Sequence, residues 1–189
     1  MIFNFKLKKI RIGFDFDGVI FYNPTKVLRP FVYFVKRYLL GKKVTKFYMP
    51  NNSFSKKVAY FLHKTSYTPN RGFDKFVALT KDPRFEVFII TARPSFMKEN
   101  IHELLSKYDL KGLKDVIQNK KDEQPHLYKE RLLKSLKLDY FVEDNWDIVR
   151  HLKDNTKAKI IWVSNLVDRL FIKHKAQGKD LKEAIEKIS

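Results

Sequence analysis

Three apolar runs in this chain stop abruptly at polar groups, and that pattern narrows its possible folds more than any other feature. Ile10-Arg-Ile-Gly-Phe-Asp-Phe carries Asp15 and leads into Asp17 and Gly18. Phe85-Glu-Val-Phe-Ile-Ile90 stops at Thr91, and Tyr140-Phe-Val142 stops at Glu143-Asp144-Asn145. Short apolar runs bounded by turn residues read as buried strands. Helical spacing fills the gaps. Phe96, Ile101, Leu104, Leu105 and Tyr108 predict a helix opened by Pro94-Ser95, and Pro125 to Leu138 predicts another. Ile148, Val149 and Leu152 suit a third, and Lys179 to Ile188 a terminal amphipathic helix. Asp115-Val-Ile117 and Ile160-Ile-Trp-Val163 supply two more strands. Strands alternating with helices predict an α/β fold with a parallel sheet covered on both faces.

The stretch from Ile20 to Arg84 breaks this rhythm. It has no convincing strand, and Pro30 to Leu40, Lys56 to Lys64 and Phe73 to Leu79 read as short helices. The expected organisation is an α/β core from residues 1–19 and 85–189, with a basic helical cap at 20–84. That cap holds 14 Lys and Arg against Asp74 and Asp82, a net +12, of the chain's formal +18.

Composition removes several chemistries. With no cysteine among 189 residues, disulfides, thiolate catalysis and cysteine-held zinc or iron–sulfur centres are excluded. The N-terminus carries no long apolar stretch, which argues against a secretory signal, and no run of about 18 apolar residues marks a membrane span. A soluble cytoplasmic protein with no obligate protein partner is the expectation.

In a parallel α/β sheet, ligands bind beyond the carboxyl ends of the strands. Asp15, Asp17, Thr91, Glu143 and Asp144 all fall there. Crowded carboxylates repel, and a divalent cation relieves them; oxygen ligands suit magnesium, which commonly shares its site with phosphate. Each piece has a plainer reading: Asp-x-Asp also occurs in sugar-nucleotide transferases, Thr91 can cap a helix, and Glu143-Asp144 can be an acidic helix start. Their order and shared placement at strand ends favour catalysis.

Ile12-Gly-Phe-Asp-Phe-Asp-Gly-Val-Ile20 resembles the first motif of the haloacid dehalogenase (HAD) superfamily. Phe88-Ile-Ile-Thr91 is similar to its second motif, and Phe141-Val-Glu-Asp-Asn-Trp-Asp147 to its fourth. The resemblance implies a Rossmann-like core with a helical cap between motifs one and two, and a magnesium-dependent phosphohydrolase. It makes Asp15 the nucleophile that forms an aspartyl-phosphate and Asp17 the general acid and base. Magnesium would be held by Asp15, the Asp17 carbonyl and Asp144, with Glu143 and Asp147 outside them. Thr91 would bind a phosphoryl oxygen. The third motif is a lysine, for which Lys129 fits best by spacing and Lys121 and Lys107 are alternatives. Dehalogenases lack the second aspartate, so Asp17 favours phosphoryl hydrolysis, or transfer, over dehalogenation.

The cap interleaves Lys26, Arg29, Lys36, Arg37, Lys42, Lys43 and Lys46 with Phe31, Tyr33, Phe34, Tyr38, Phe47 and Tyr48. One reading is a packed helix face with solvated lysines. Others are a clamp for a small anionic phosphorylated substrate, contact with a nucleic acid, or contact with an anionic membrane. Asp-Gly-Val-Ile and Thr-Ala-Arg-Pro are similar to 5′-nucleotidase-like members, which favours a nucleotide; Arg93 either binds substrate or ties its loop down. A polynucleotide end-phosphatase is the rival enzyme, and a noncatalytic nucleic-acid or membrane-binding module the rival of another class.

Overall fold

The computed structural model describes residues 8–23, 47, 50, 52–64, 68–97 and 101–188. Six parallel strands form one sheet in the order β3-β2-β1-β4-β5-β6. They are β1 (Ile10–Phe14), β2 (Phe85–Thr91), β3 (Leu113–Gln118), β4 (Tyr140–Glu143), β5 (Lys159–Val163) and β6 (Gln177–Gly178). The helices are α1 (Ser53–Lys64), α2 (Phe73–Lys81), α3 (Ile101–Ser106), α4 (Pro125–Ser135), α5 (Trp146–Asn155), α6 (Leu166–Phe171) and α7 (Leu181–Ile185). No helix among the described residues is long and apolar enough to cross a membrane.

Strand alternation divides the interior into two layers. Val87 and Ile89 of β2, Val142 of β4, and Ile161 and Val163 of β5 join Phe76 of α2, Ile101 of α3 and Leu181 of α7 on one face. Phe88, Ile90, Phe141, Ile160 and Trp162 join Leu132 and Leu133 of α4 and Val149 and Leu152 of α5 on the other. Each large side chain so buried contributes about 1.5–3 kcal/mol. The central strands are apolar on both sides because both faces are covered.

Two expectations are refined here. Although α2 falls within residues 20–84, it packs on the sheet: Phe76 is fully buried and meets Phe14 edge-on at 5.1 Å between ring centroids. Helical periodicity marks which face is apolar, not what covers it. The predicted helix at 30–40 lies outside the described residues, as do the basic and aromatic residues from Lys26 to Lys46. At the C-terminus the helix is shorter than its periodicity suggests, spanning Leu181–Ile185.

The chain leaves β1 for β2 and β3 on one side, then returns to place β4 on the other. A crevice therefore opens beyond β1 and β4, where the direction of winding reverses, and ligands bind at such switch points. Asp15 follows β1 there, and Asp144 follows β4.

Candidate active site

The loop after β1 is rigid for a hydrophobic reason. Phe16, Val19, Ile20 and Phe21 are all fully buried, anchoring a short segment whose polar members face the crevice. The Gly18 N–H donates to the Phe21 carbonyl at 2.7 Å, and the Phe21 N–H to that of Phe16 at 3.1 Å. The Asp15 N–H donates to the Val142 carbonyl at 2.9 Å, which ties the loop to β4. Asn70 closes it from outside, its side-chain amide donating to the Gly18 and Val19 carbonyls at 3.3 and 3.0 Å.

Asp15, Glu143 and Asp144 meet beyond the sheet, with carboxylate oxygens within 4.8 Å of one another, and all three are buried. Lys129, from the second turn of α4, enters the same cluster. Its ammonium lies 2.6 Å from Glu143 Oε2 and 3.0 Å from Asp15 Oδ1. The other Glu143 oxygen, Oε1, accepts from the Asn145 N–H at 3.0 Å, so both of its oxygens are engaged within the protein. Asn145 then caps α5, accepting from the N–H groups of Asp147 and Ile148 at 3.0 and 3.4 Å. The Trp162 indole donates to the Asp144 carbonyl at 3.2 Å and fixes that turn from behind.

Asp17 is held separately. Arg93 forks onto it, with Nε 2.8 Å from Oδ2 and Nη2 2.7 Å from Oδ1, and its guanidinium lies over the Phe16 ring. Thr91 is fully buried at the end of β2, where its hydroxyl oxygen accepts from the Arg93 N–H at 3.2 Å. That contact uses a lone pair and leaves the hydroxyl proton to donate elsewhere.

Burial pushes the Asp15 carboxyl well above the usual range; Lys129 opposes this, and the neighbouring Glu143, Asp144 and Asp17 carboxylates add to it. Glu143 is raised for the same reasons, burial first, with Lys129 against it and Asp144 with it. Lys129 loses by burial but gains more from Asp15 and Glu143, so it stays firmly cationic. Four carboxylates (Asp15, Asp17, Glu143, Asp144) thus stand with two cations, Lys129 and Arg93. A divalent cation fits the excess of two negative charges, and the all-oxygen donor set suits magnesium. Space is made for it by Gly18: at φ +80, a Cβ there would fall 1.9 Å from Asp144 Oδ2.

Asp15, Asp17, Arg93, Lys129, Glu143 and Asp144 line one cavity of about 590 Å³. That is within the usual size range of small-molecule sites. Thr91 lies beneath it, next to the lining residue Ala92, and Asp147 does not line it either, sitting in the first turn of α5, 3.7 Å from Arg150. Lys121 and Lys107 are exposed and lie away from it. Sequence reasoning named Phe47 among the cap aromatics but missed Asn23, buried at the cavity edge, and the part of the wall formed by Phe54 and Val58 of α1. The regular apolar spacing on α1 was the available signal for that wall.

No protein-family profile matches the chain, and no curated protein does. Solved structures do. A haloacid dehalogenase-like hydrolase from Streptococcus pneumoniae superposes with a TM-score of 0.57 at 10% identity, covering 96% of this chain and 99% of that one. The chain has the haloacid dehalogenase fold. YfnB of Bacillus subtilis, assigned to the HAD hydrolases and solved bound to magnesium, gives 0.58 at 12% identity over 95% and 98% of the two chains. Phosphoserine phosphatase in its apo form gives 0.52 at 16% identity over 96% and 100%. In this HAD fold, the crevice at the β1–β4 switch point is the place where the acidic cluster lies.

Proposed function

We propose that the chain is a magnesium-dependent phosphohydrolase that cleaves phosphomonoesters through an aspartyl-phosphate on Asp15. The observation that carries this reading is the buried Lys129 ammonium 3.0 Å from Asp15 Oδ1, beside Asp144, at the floor of a substrate-sized cavity.

Asp15 carries out nucleophilic attack: a carboxylate oxygen bonds to phosphorus as the bond to the ester oxygen breaks. Asp17 protonates the departing alkoxide, then takes a proton from water as that water attacks phosphorus and releases Asp15. Arg93 orients Asp17; each carboxylate oxygen has a second lone pair, so the fork leaves Asp17 able to exchange a proton. Lys129 offsets charge on the phosphoryl oxygens and holds Asp15 in line, while Thr91 donates to one of those oxygens. Magnesium, when bound by Asp15, the Asp17 carbonyl and Asp144, supplies neutralisation of the phosphoryl charge. Glu143 stays outside the metal, because Lys129 and the Asn145 N–H engage its oxygens.

The test is phosphate release from a panel of phosphomonoesters with magnesium, set against Asp15→Asn. Release should stop with chelator, return with magnesium, and fall by about three orders of magnitude or more in the variant. Equal turnover by Asp15→Asn would sink the proposal.

A further inference from the structure

The cavity has two unlike ends. Its floor holds the charged groups described above. Its facing wall is α1, where Phe54, Ser55, Val58 and Ala59 recur at three- and four-residue spacing and share one helix face. Phe54 is 78% exposed and Val58 43%, so this stripe offers apolar surface to the cavity rather than to the protein core. Phe47 extends the wall, and Ala92, Pro94 and Ile148 continue it around the rim.

The Ser55 polar atoms on that wall are engaged with Asn52. The Ser55 N–H donates to Asn52 Oδ1 at 2.8 Å and the Ser55 hydroxyl to the Asn52 carbonyl at 3.0 Å, closing the first turn of α1. Among the described residues, the cations lining the cavity are Lys129 and Arg93, and both are engaged with carboxylates of the floor. Lys56 and Lys57 do not line it; the Lys56 ammonium lies 5.9 Å from the Phe96 ring centroid. Arg71, Lys75, Lys81 and Arg84 pair with Asp180, Glu186, Asp109 and Asp82 away from the site. Phe54 and Val58 give a second anionic group on the substrate no counter-ion from the described wall, whereas hydrocarbon gains by covering them.

Resting on the phosphohydrolase reading, we infer that the site selects phosphomonoesters of apolar alcohols, arylalkyl or compact alkyl. The phosphoryl group sits on the charged floor and the hydrocarbon packs on Phe54, Val58 and Phe47. Water enters, the phosphorus–oxygen bond breaks, and the apolar alcohol leaves with inorganic phosphate remaining. The nucleotide expected from sequence drew on Asp-Gly-Val-Ile, Thr-Ala-Arg-Pro and the basic cap, whose residues from Lys26 to Lys46 lie outside the described segments; the described wall favours hydrocarbon.

The experiment uses the full chain with magnesium. Phenethyl phosphate and glycerol 3-phosphate have leaving alcohols of similar acidity, so their comparison reads recognition and not bond strength. The kcat/KM for phenethyl phosphate should exceed that for glycerol 3-phosphate, and that for a nucleoside monophosphate, by at least tenfold. Val58→Asp should reduce the phenethyl-to-glyceryl ratio at least tenfold, chiefly through KM. Equal or reversed preference, or a ratio unmoved by Val58→Asp, overturns the inference while 4-nitrophenyl phosphate turnover keeps the phosphohydrolase reading. If no phosphate is released from any ester, that reading fails, and calorimetry decides this one separately. Phenethyl phosphonate should then bind at least tenfold tighter than 2-hydroxyethyl phosphonate, and equal binding overturns the inference.

Discussion

Lys129 meets Glu143 at 2.6 Å across fourteen residues of chain, joining α4 to the end of β4 inside the buried acidic cluster. The same ammonium is shared with Asp15, so one cation holds the nucleophile and the strand end together. Lys129→Met removes it and leaves two buried carboxylates facing each other. Breaking one side of a buried ion pair costs about 3–5 kcal/mol. Denaturant unfolding should show a loss of that order, partly restored by magnesium, and turnover should fall about 100- to 1000-fold. A stable and fully active Lys129→Met chain would contradict the role given to this ammonium.

Gly18 tests the metal without touching a ligand side chain. Its φ of +80 is strained for any residue with a Cβ, and that atom would fall 1.9 Å from Asp144 Oδ2. Gly18→Ala should displace the Asp144 carboxylate, raising the magnesium concentration for half-maximal activity at least tenfold. Thermal unfolding should report the same change, since magnesium raises the melting temperature only as far as it binds the folded state. An unchanged magnesium titration by both methods would remove Asp144 from the metal site.

Arg93 separates charge from shape. Its fork on Asp17 depends on two nitrogens at 2.8 and 2.7 Å. Lysine keeps the charge but not the fork. Arg93→Lys should therefore fold nearly as well as the parent and lose activity in kcat, by about 100-fold if Asp17 shifts by 1 Å. Arg93→Ala, which leaves a buried carboxylate without that cation, should also lose about 3–5 kcal/mol of stability. Loss confined to KM in Arg93→Lys would instead make Arg93 a substrate-binding group.

Much of the site was legible because polar residues at the ends of apolar runs are a local signal with a global meaning. Asp15, Thr91 and Asp144 need only a parallel sheet to be brought near one edge. Lys129 was legible by its spacing before β4. The Arg93–Asp17 fork was not: it spans 76 residues, and arginine after a strand end has many uses. Nor was the apolar wall of α1, because Phe54 and Val58 at helical spacing look like core until their exposure is known. Two-residue β6 has too few positions to show a period. The short helix α6 was likewise unforeseen, its six residues spanning less than two turns of helical repeat.

His126 gives the fold a dependence on acidity that is separate from the chemistry. It lies on α4 with its Nδ1 buried and no hydrogen-bond partner among the described residues, its ring 4.7 Å from that of His151 and 5.7 Å from that of Phe47. Burial holds its pKa below the ordinary 6.5, His151 adds to the effect, and Glu130 opposes it. The folded state thus resists a proton that the unfolded chain accepts at about 6.5. Stability from this group is present above pH 6.5 and is lost as pH falls through the lowered folded value. His126→Leu removes the titration while filling similar space. Denaturation of both proteins from pH 7.5 to 5 should show the parent losing stability relative to the variant as acid is added. The Glu130–His151 pair, 2.6 Å apart, is present in both proteins. Parallel stability curves across that range would mean that His126 takes up its proton as readily folded as unfolded.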